Sequence, residues 1–359
     1  MKKIKALSFV AVTGLLLAGV VSCTNNNSTE KEVINVQFVP SRDPGELAVL
    51  ADNLEPLLNA TSDKYTFDIT TGTSYAATTE AMLSGQMDIG FLTASGYAEA
   101  TLKHPGEIEV LMTSVRKGYQ VQQDYKTEAE QIAAMNGAVE GYEYLGQQSE
   151  ADVNWYTSQL CVAKQYYVDK NGDGKINVLD LAGLKIARQG QTSGAGYLRP
   201  LKYLNDYGMS MVDEIKDATK EIQGVYIKGY DAALDAMISG EVAGFWGFTD
   251  VRYANGYNKD THTYYQNKEI FSEFPCIAIT DGIYNDTISA RANLEDDKKE
   301  AVKKAFKEVI KQGGQKEEGT GAYYLYNLYS HTGYTDAKDS DFEGERDFYQ
   351  YCVDNGLLN

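Results

Sequence analysis

Apolar and polar positions alternate from Ile34 to Phe38, and the stretch from Ile34 to Pro40 reads as a strand. The period then changes: Leu47, Leu50, Leu54 and Leu57 or Leu58 fall on one helical face, and Asp43-Pro44 is a helix-start signal. KYTFDITT reads as a second strand, Ala76 to Leu83 as a helix and MDIGFLT as a third strand. Strands and helices therefore alternate, which argues for an α/β layer architecture. Farther on, Lys298 to Lys311 places Val302, Ala305, Val309 and Ile310 inward and its lysines in solvent. Lys126 to Trp155 shows no clear strand pattern and reads as a long surface excursion.

The pattern also repeats. EAMLSGQMDIGFLT at 80–93 returns in altered form as DAMISGEVAGFWGFT at 235–249, with Tyr75 five residues before Glu80 and Tyr230 five before Asp235. Tyr97 and Tyr253 follow at nearly equivalent distances. Coincidence or two helices packing alike would give one short repeat, but two similar α/β lobes facing each other also explain the tyrosines, each at a helix N-terminus where lobes meet over a cleft.

At the N-terminus, Lys2, Lys3 and Lys5 precede an apolar run from Ala6 to Val21, too short for a comfortable span and shaped like a secretory signal. The run ends in Val20-Val21-Ser22-Cys23, which resembles a bacterial lipobox, so residues 1–22 read as a removed signal, Cys23 as the lipidated residue and 23–32 as a tether. The formal net charge is −18; losing residues 1–22 removes three lysines and no acid, leaving −21. Nucleic acid is an improbable partner for such a chain, and an anionic ligand needs local donors against the global field. Cys161, Cys276 and Cys352 have no metal-ligand spacing and read as buried free thiols, and His104, His262 and His331 as surface residues. No paired nucleophile and base is signalled, which argues for binding rather than catalysis.

Two stretches carry candidate chemistry. Strand LKIARQ leads to QTSGAGYLRP, where Gln191, Thr192, Ser193 and Gly194 offer hydroxyls and unblocked amides before a helix beginning at Tyr197-Leu198. Free amides at a positive helix end form an anion site, although an ordinary Ser/Thr cap uses the same residue types. DKNGDGKINVLDL has the spacing of a calcium loop: Asp169, Asn171 and Asp173 at positions 1, 3 and 5, Gly174 at the turn, the Lys175 carbonyl at 7, Asn177 at 9 and Asp180 at 12. A polar turn between strand and helix is the plainer alternative. The spelling is also similar to dockerin loops, but those come in pairs in a terminal module, and this one is single and internal.

TSYAATTEAMLSGQMDIGFLT, QTSGAGYLRP, GYDAALDAMISGEV and HTGYTDAKDSDFEGERDFY, in that order, resemble the extracytoplasmic phosphonate/phosphite-type substrate-binding proteins of ABC importers, the PhnD-like family. The resemblance implies a bilobed type II periplasmic-binding-protein fold, two α/β lobes joined by two hinge strands: 33–157 with 277–359 as lobe 1, and 158–276, containing loop 169–180, as lobe 2. It implies a monomer that closes on a small anionic solute and delivers it to a permease and ATPase complex; the spacing of loop 169–180 adds calcium as a structural staple. Tyr75 matches the family's cleft tyrosine, and Thr93, Ala94 and Ser95 give a second set of hydroxyl and amide donors. Tyr230 stands where a family member can carry histidine, and Asp250 where an acidic residue of aminoalkylphosphonate-binding members meets the ligand's amine. Phe274 stands near the place of the second acid, which weakens that ligand and leaves phosphonate, phosphite, phosphate, a sulfonate or an organic nitrogen compound.

Overall fold

A computed structural model describes residues 30–41, 43–254 and 269–358. The signal segment, Cys23 and all but the end of the tether lie outside them, as do His262 and the side chain of Tyr253. The chain opens with β1 (Glu32–Phe38), α1 (Pro44–Asn59), β2 (Tyr65–Thr71), α2 (Tyr75–Leu83), β3 (Ile89–Leu92), α3 (Ala94–Lys103) and β4 (Ile108–Tyr119). Next come α4 (Gln120–Asp124), α5 (Glu128–Met135), β5 (Gln148–Val153), β6 (Trp155–Val162), β7 (Lys185–Arg188), α6 (Arg199–Asp206), β8 (Ser210–Val212), β9 (Glu221–Tyr226), α7 (Tyr230–Ile238), β10 (Gly244–Phe248), α8 (Val251–Ala254) and α9 (Glu269–Glu273). It closes with β11 (Cys276–Tyr284), β12 (Thr287–Arg291), α10 (Asp296–Val309), α11 (Gly321–Tyr329), β13 (Gly333–Asp336) and α12 (Glu343–Asp354).

Among the described residues these strands form two sheets. One runs β13-β4-β12-β3-β1-β2 with β5 alongside β4; the other runs β11-β6-β10-β7-β9-β8. In each, the strands feeding helices are parallel, β1 with β2 and β3, and β7 with β8's neighbour β9 and with β10. Helices cover both faces of each sheet, so the hydrophobic alternation of the chain resolves into two doubly covered α/β lobes. The start of α1 shows the local logic: Asp43 accepts from the amides of Gly45 and Glu46, Pro44 fills the first turn, and Leu47, Ala51, Leu54 and Leu58 are buried on the inner face. Burying each such leucine contributes about 2 kcal/mol.

The chain passes between sheets at Asn154 and again at Asn285-Asp286. The buried Asn285 ties the two crossovers together, its amide donating to the carbonyl of Asn154 and its Nδ2 to those of Ser114 and Val153. Sheet membership differs from the expected division. The second sheet begins at Trp155 and ends at Tyr284, and α5, inside the stretch read as a surface excursion, packs on it: Asn136 donates to the Cys276 carbonyl and Glu128 accepts from the Ile279 amide. The terminal helix α12 also reaches it, burying Phe348, Tyr349 and Cys352 in the cluster that holds Leu160 and Trp246. Cys161 and Cys276 are register partners on β6 and β11, both free and buried.

Candidate functional site

The repeat read from the sequence is realised turn for turn. Helices α2 and α7 each begin on the tyrosine, run nine residues and end on a serine, Ser84 or Ser239, whose amide returns to the fourth residue back. A left-handed glycine then releases the chain, Gly85 at φ 76° and Gly240 at φ 80°, before β3 and β10. Tyr75 and Tyr230 therefore stand at equivalent places, one on each lobe.

They line the same cavity. Its walls also include Ser41, Thr93, Arg116, Tyr156, Ser193, Phe248 and Asp286, and it holds about 40 Å³. At ~10–15 Å³ per water, that is room for a compact solute of a few heavy atoms. Ser41, Tyr75 and Thr93 follow the carboxyl ends of β1, β2 and β3, and Ser193 and Tyr230 follow those of β7 and β9, the crevice where open α/β sheets bind ligands. Thr93 caps α3 by accepting from the Gly96 amide, and Ser193 caps the helical stretch that leads into α6 by accepting from the Gly196 amide. That stretch starts at Gly194, three residues earlier than the expected Tyr197, in a wider first turn. The N-terminal ends of α2, α3, α7 and this helix thus all turn toward one space, which gives it a positive potential from dipoles.

The lobes meet over this space. Thr93 Oγ1 donates to the Thr192 carbonyl at 2.9 Å, the Tyr230 amide donates to the Ser41 carbonyl, and the Asp43 amide donates to Asp231. Gly194 lies close enough to α3 that a Cβ there would come within 3.1 Å of Ser95 Oγ. Ser193 Oγ and Tyr230 OH are 3.1 Å apart. By contrast, the hydroxyls of Tyr75 and Tyr156 have no hydrogen-bond partner among the described residues, and Ser41 Oγ and Ser95 Oγ are buried without one. Buried polar groups are seldom left unpaired without a reason, and a ligand supplies one.

Of the formal charges on the wall, Arg116 faces Asp286 at 2.5 Å and stacks over the Tyr156 ring. Burial opposes the Asp286 charge, but Arg116 and His331 outweigh it and hold the carboxyl below its usual range. Burial pushes the Tyr75 and Tyr156 hydroxyls well up and Tyr230 to about 12, so all three are neutral donors. A smaller cavity of about 20 Å³ adjoins, sharing Arg116, Tyr156 and Phe248 and adding Gln122, Gln148 and Thr249.

Several expected residues lie elsewhere. Gln191 is exposed, Ala94 packs its methyl into the core beside Met82 and Tyr97, and Thr192 gives its carbonyl to Thr93. Asp250 is fully buried outside the cavity wall, paired with Arg252 and bonded by Tyr144. His331 is not a surface residue: it is 1% exposed, packed against Phe91, Tyr329 and Tyr334, and burial lowers its pKa to about 4. Ser41, Arg116, Tyr156 and Asp286 were not foreseen; Ser41 alone had a local signal, a small hydroxyl directly after the first strand.

In loop 169–180 the donor types have calcium spacing, but the carboxylates turn onto the loop's own amides. Asp169 accepts from Gly172, Asp173 and Gly174, Asp173 from Lys175, and Asp180 from Lys170, Asn171 and Asn177. Asn171 Oδ1 accepts from Asp173 and Asn177 Oδ1 from Leu179. Among the described residues no three acidic, histidine or cysteine side chains converge as a metal site.

Residues 36–342 match the family described as the periplasmic substrate-binding protein of phosphonate ABC transporters. The chain belongs to this family. Its members are non-catalytic extracytoplasmic solute-binding proteins that work with an ABC permease and ATPase. No curated protein sequence matches. Among solved structures, the fold is similar to a binding protein component of an ABC phosphonate transporter from Pseudomonas aeruginosa (TM-score 0.62, 16% identity, 91% of this chain and 89% of that one). It is similar to PhnD1 from Prochlorococcus marinus in complex with methylphosphonate (TM-score 0.62, 13% identity, 90% and 98%). It is also similar to the periplasmic aliphatic sulphonate binding protein of Escherichia coli (TM-score 0.50, 12% identity, 92% and 89%). At these identities the likeness establishes the type II periplasmic-binding-protein fold.

Proposed function

We propose that this binding protein captures a small tetrahedral oxyanion of the phosphonate, phosphite or phosphate type between its lobes. The observation that carries the reading is the set of unpartnered hydroxyls, Tyr75, Tyr156, Ser41 and Ser95, gathered where four helix N-termini meet. Neutral hydroxyls and helix amides bind an oxyanion without an excess lysine or arginine, as a chain of net charge −18 requires. A thermal-shift panel of methylphosphonate, phosphite, phosphate, methanesulfonate and spermidine tests it. A phosphorus oxyanion at 100-fold its Kd adds about 2.7 kcal/mol to stability and raises Tm. Stabilisation by spermidine alone, or by the sulfonate alone, would remove the phosphorus class.

Calcium in loop 169–180 is a second, separable part of the proposal, resting on donor spacing. Binding requires Asp169, Asp173 and Asp180 to exchange amide partners for the ion. Millimolar calcium is then expected to raise the Tm of EDTA-treated protein, to do nothing for an Asp169→Ala, Asp173→Ala double variant, and to leave solute affinity unchanged. No calcium-dependent shift in the unmodified chain rejects the ion.

A further inference from the structure

The cavity contains one group whose chemistry an oxyanion does not obviously want. Asp286, at the second crossover between β11 and β12, lines the wall with its side chain 14% exposed. Its Oδ2 accepts from Arg116 Nη2 and lies 3.6 Å from His331 Nε2, while Oδ1 accepts no hydrogen bond among the described residues. A carboxylate is an acceptor only, whereas every hydroxyl around it can donate. An oxyanion seated among the tyrosines therefore meets donors on most sides and one charged acceptor on another. A fully deprotonated oxygen beside Asp286 would be repelled, and an O–H would be bonded.

We infer that Asp286 makes the site selective for an oxyanion that carries a proton, the hydrogen-phosphoryl monoanion, with the P–OH donating to Asp286 and the remaining oxygens taken by hydroxyls and helix amides. This rests on the oxyanion reading above and narrows it. A sulfonate has the same tetrahedral shape and charge but no proton to give, so the wall discriminates against it by chemistry rather than by size. Arg116 neutralises Asp286 in the absence of solute, and the pair leaves the dipoles to provide the net attraction.

The solute's own proton should then govern the pH dependence. The groups facing Asp286 are Arg116 from β4, His331 and Tyr334 around β13, Tyr75 from α2, Tyr156 from β6, Tyr230 from α7 and Tyr329 from α11. Burial raises the tyrosines and lowers His331 to about 4, so neither the tyrosines nor the histidine changes protonation between about pH 6 and 8.5. Phosphoryl groups lose their second proton from about pH 6 upward, which removes the species the site selects.

Calorimetry with methylphosphonate and methanesulfonate, at pH 6 and pH 8.5, on the full mature chain and on Asp286→Asn tests the inference. In the unmodified chain methylphosphonate should bind more than about tenfold tighter than methanesulfonate at pH 6 and weaken several-fold at pH 8.5, because apparent affinity follows the competent fraction. In Asp286→Asn the margin should collapse to within about threefold and the pH profile should flatten, whatever the absolute affinities become once Arg116 is unpaired. Equal binding of the two ions by the unmodified chain, or an unchanged profile in the variant, overturns the role of Asp286. Tighter binding of 2-aminoethylphosphonate, with that advantage lost in Asp286→Asn, overturns it too, by assigning the carboxylate to an ammonium. Binding of neither ion at either pH defeats the oxyanion reading itself. Should Asp286→Asn fail to fold, the margin and pH profile of the unmodified chain decide.

Discussion

Gly194→Val is expected to lower solute affinity by at least about 100-fold, a loss of about 2.7 kcal/mol, and to lower the melting temperature of the solute-free protein by a few degrees, because part of its crowding lies within one lobe. Gly194 opens the helical stretch at 194–206 on one lobe and faces α3 on the other. A Cβ alone would stand 3.1 Å from Ser95 Oγ and 3.2 Å from Ile283 Cγ2, with the Tyr156 hydroxyl at 3.6 Å. Alanine is therefore tight but tolerable if Ser95 gives a few tenths of an ångström. The two γ carbons of valine have no such space, and they would hold the lobes apart at the contact that Thr93 and Thr192 make. Opening about the crossovers at Asn154 and Asn285 relieves the contact with Ser95 on the opposite lobe, so closure is penalised, while Ile283 and Tyr156, in the sheet of Gly194's own lobe, must give way within that lobe. A solute that binds the closed form must then offset that penalty. Calorimetry on Gly194→Ala and Gly194→Val should give a graded loss, and small-angle scattering should show contraction on solute addition for the unmodified chain but not for valine. Unchanged affinity in Gly194→Val would mean that the solute is not enclosed between these surfaces.

The difference between what the sequence disclosed and what it hid follows from chain distance. Thr93 and Ser193 were legible because a cap is a local event: a hydroxyl, a turn and an amide three residues on. Tyr75 and Tyr230 were legible because the helix, the left-handed glycine and the strand behind them occur twice. Ser41 obeys the same carboxyl-end rule, and only the absence of a second copy concealed it. Arg116 and Asp286 are 170 residues apart and meet where two antiparallel strands cross between lobes, so no window of sequence contains their relation. His331 reads as surface because it sits in a polar stretch, HTGYTDAKDSD, yet its ring is buried against Phe91 and Tyr329. The helix at 194 begins early because Gly194 and Gly196 let the backbone pass close to Ser95 and Gln189, where larger residues would not fit.

Asp250 carries the other large expectation, because family position and local structure assign it different work. The resemblance places it against a ligand amine; the structure surrounds it with protein. Both members of the Asp250–Arg252 pair are fully buried, with Nη2 to Oδ2 at 2.6 Å and Nε to Oδ1 at 3.0 Å. Tyr144 donates to Oδ2 at 2.8 Å, and Arg252 Nη1 donates to the Phe274 carbonyl at 2.7 Å, fastening β10's end to α9's end. Arg252→Met is accordingly expected to destabilise the chain by about 3–5 kcal/mol, since it leaves a buried carboxylate without its cation. Asp250→Asn together with Arg252→Met removes both charges and should recover much of the stability, a signature of a pair rather than of two independent residues. Solute affinity, measured on whatever fraction remains folded at low temperature, should stay within about threefold in Arg252→Met and in the double variant, since neither side chain reaches the cavity wall. A hundredfold loss of affinity with stability unchanged would instead return Asp250 to the ligand and make the closed arrangement described here the wrong one for binding.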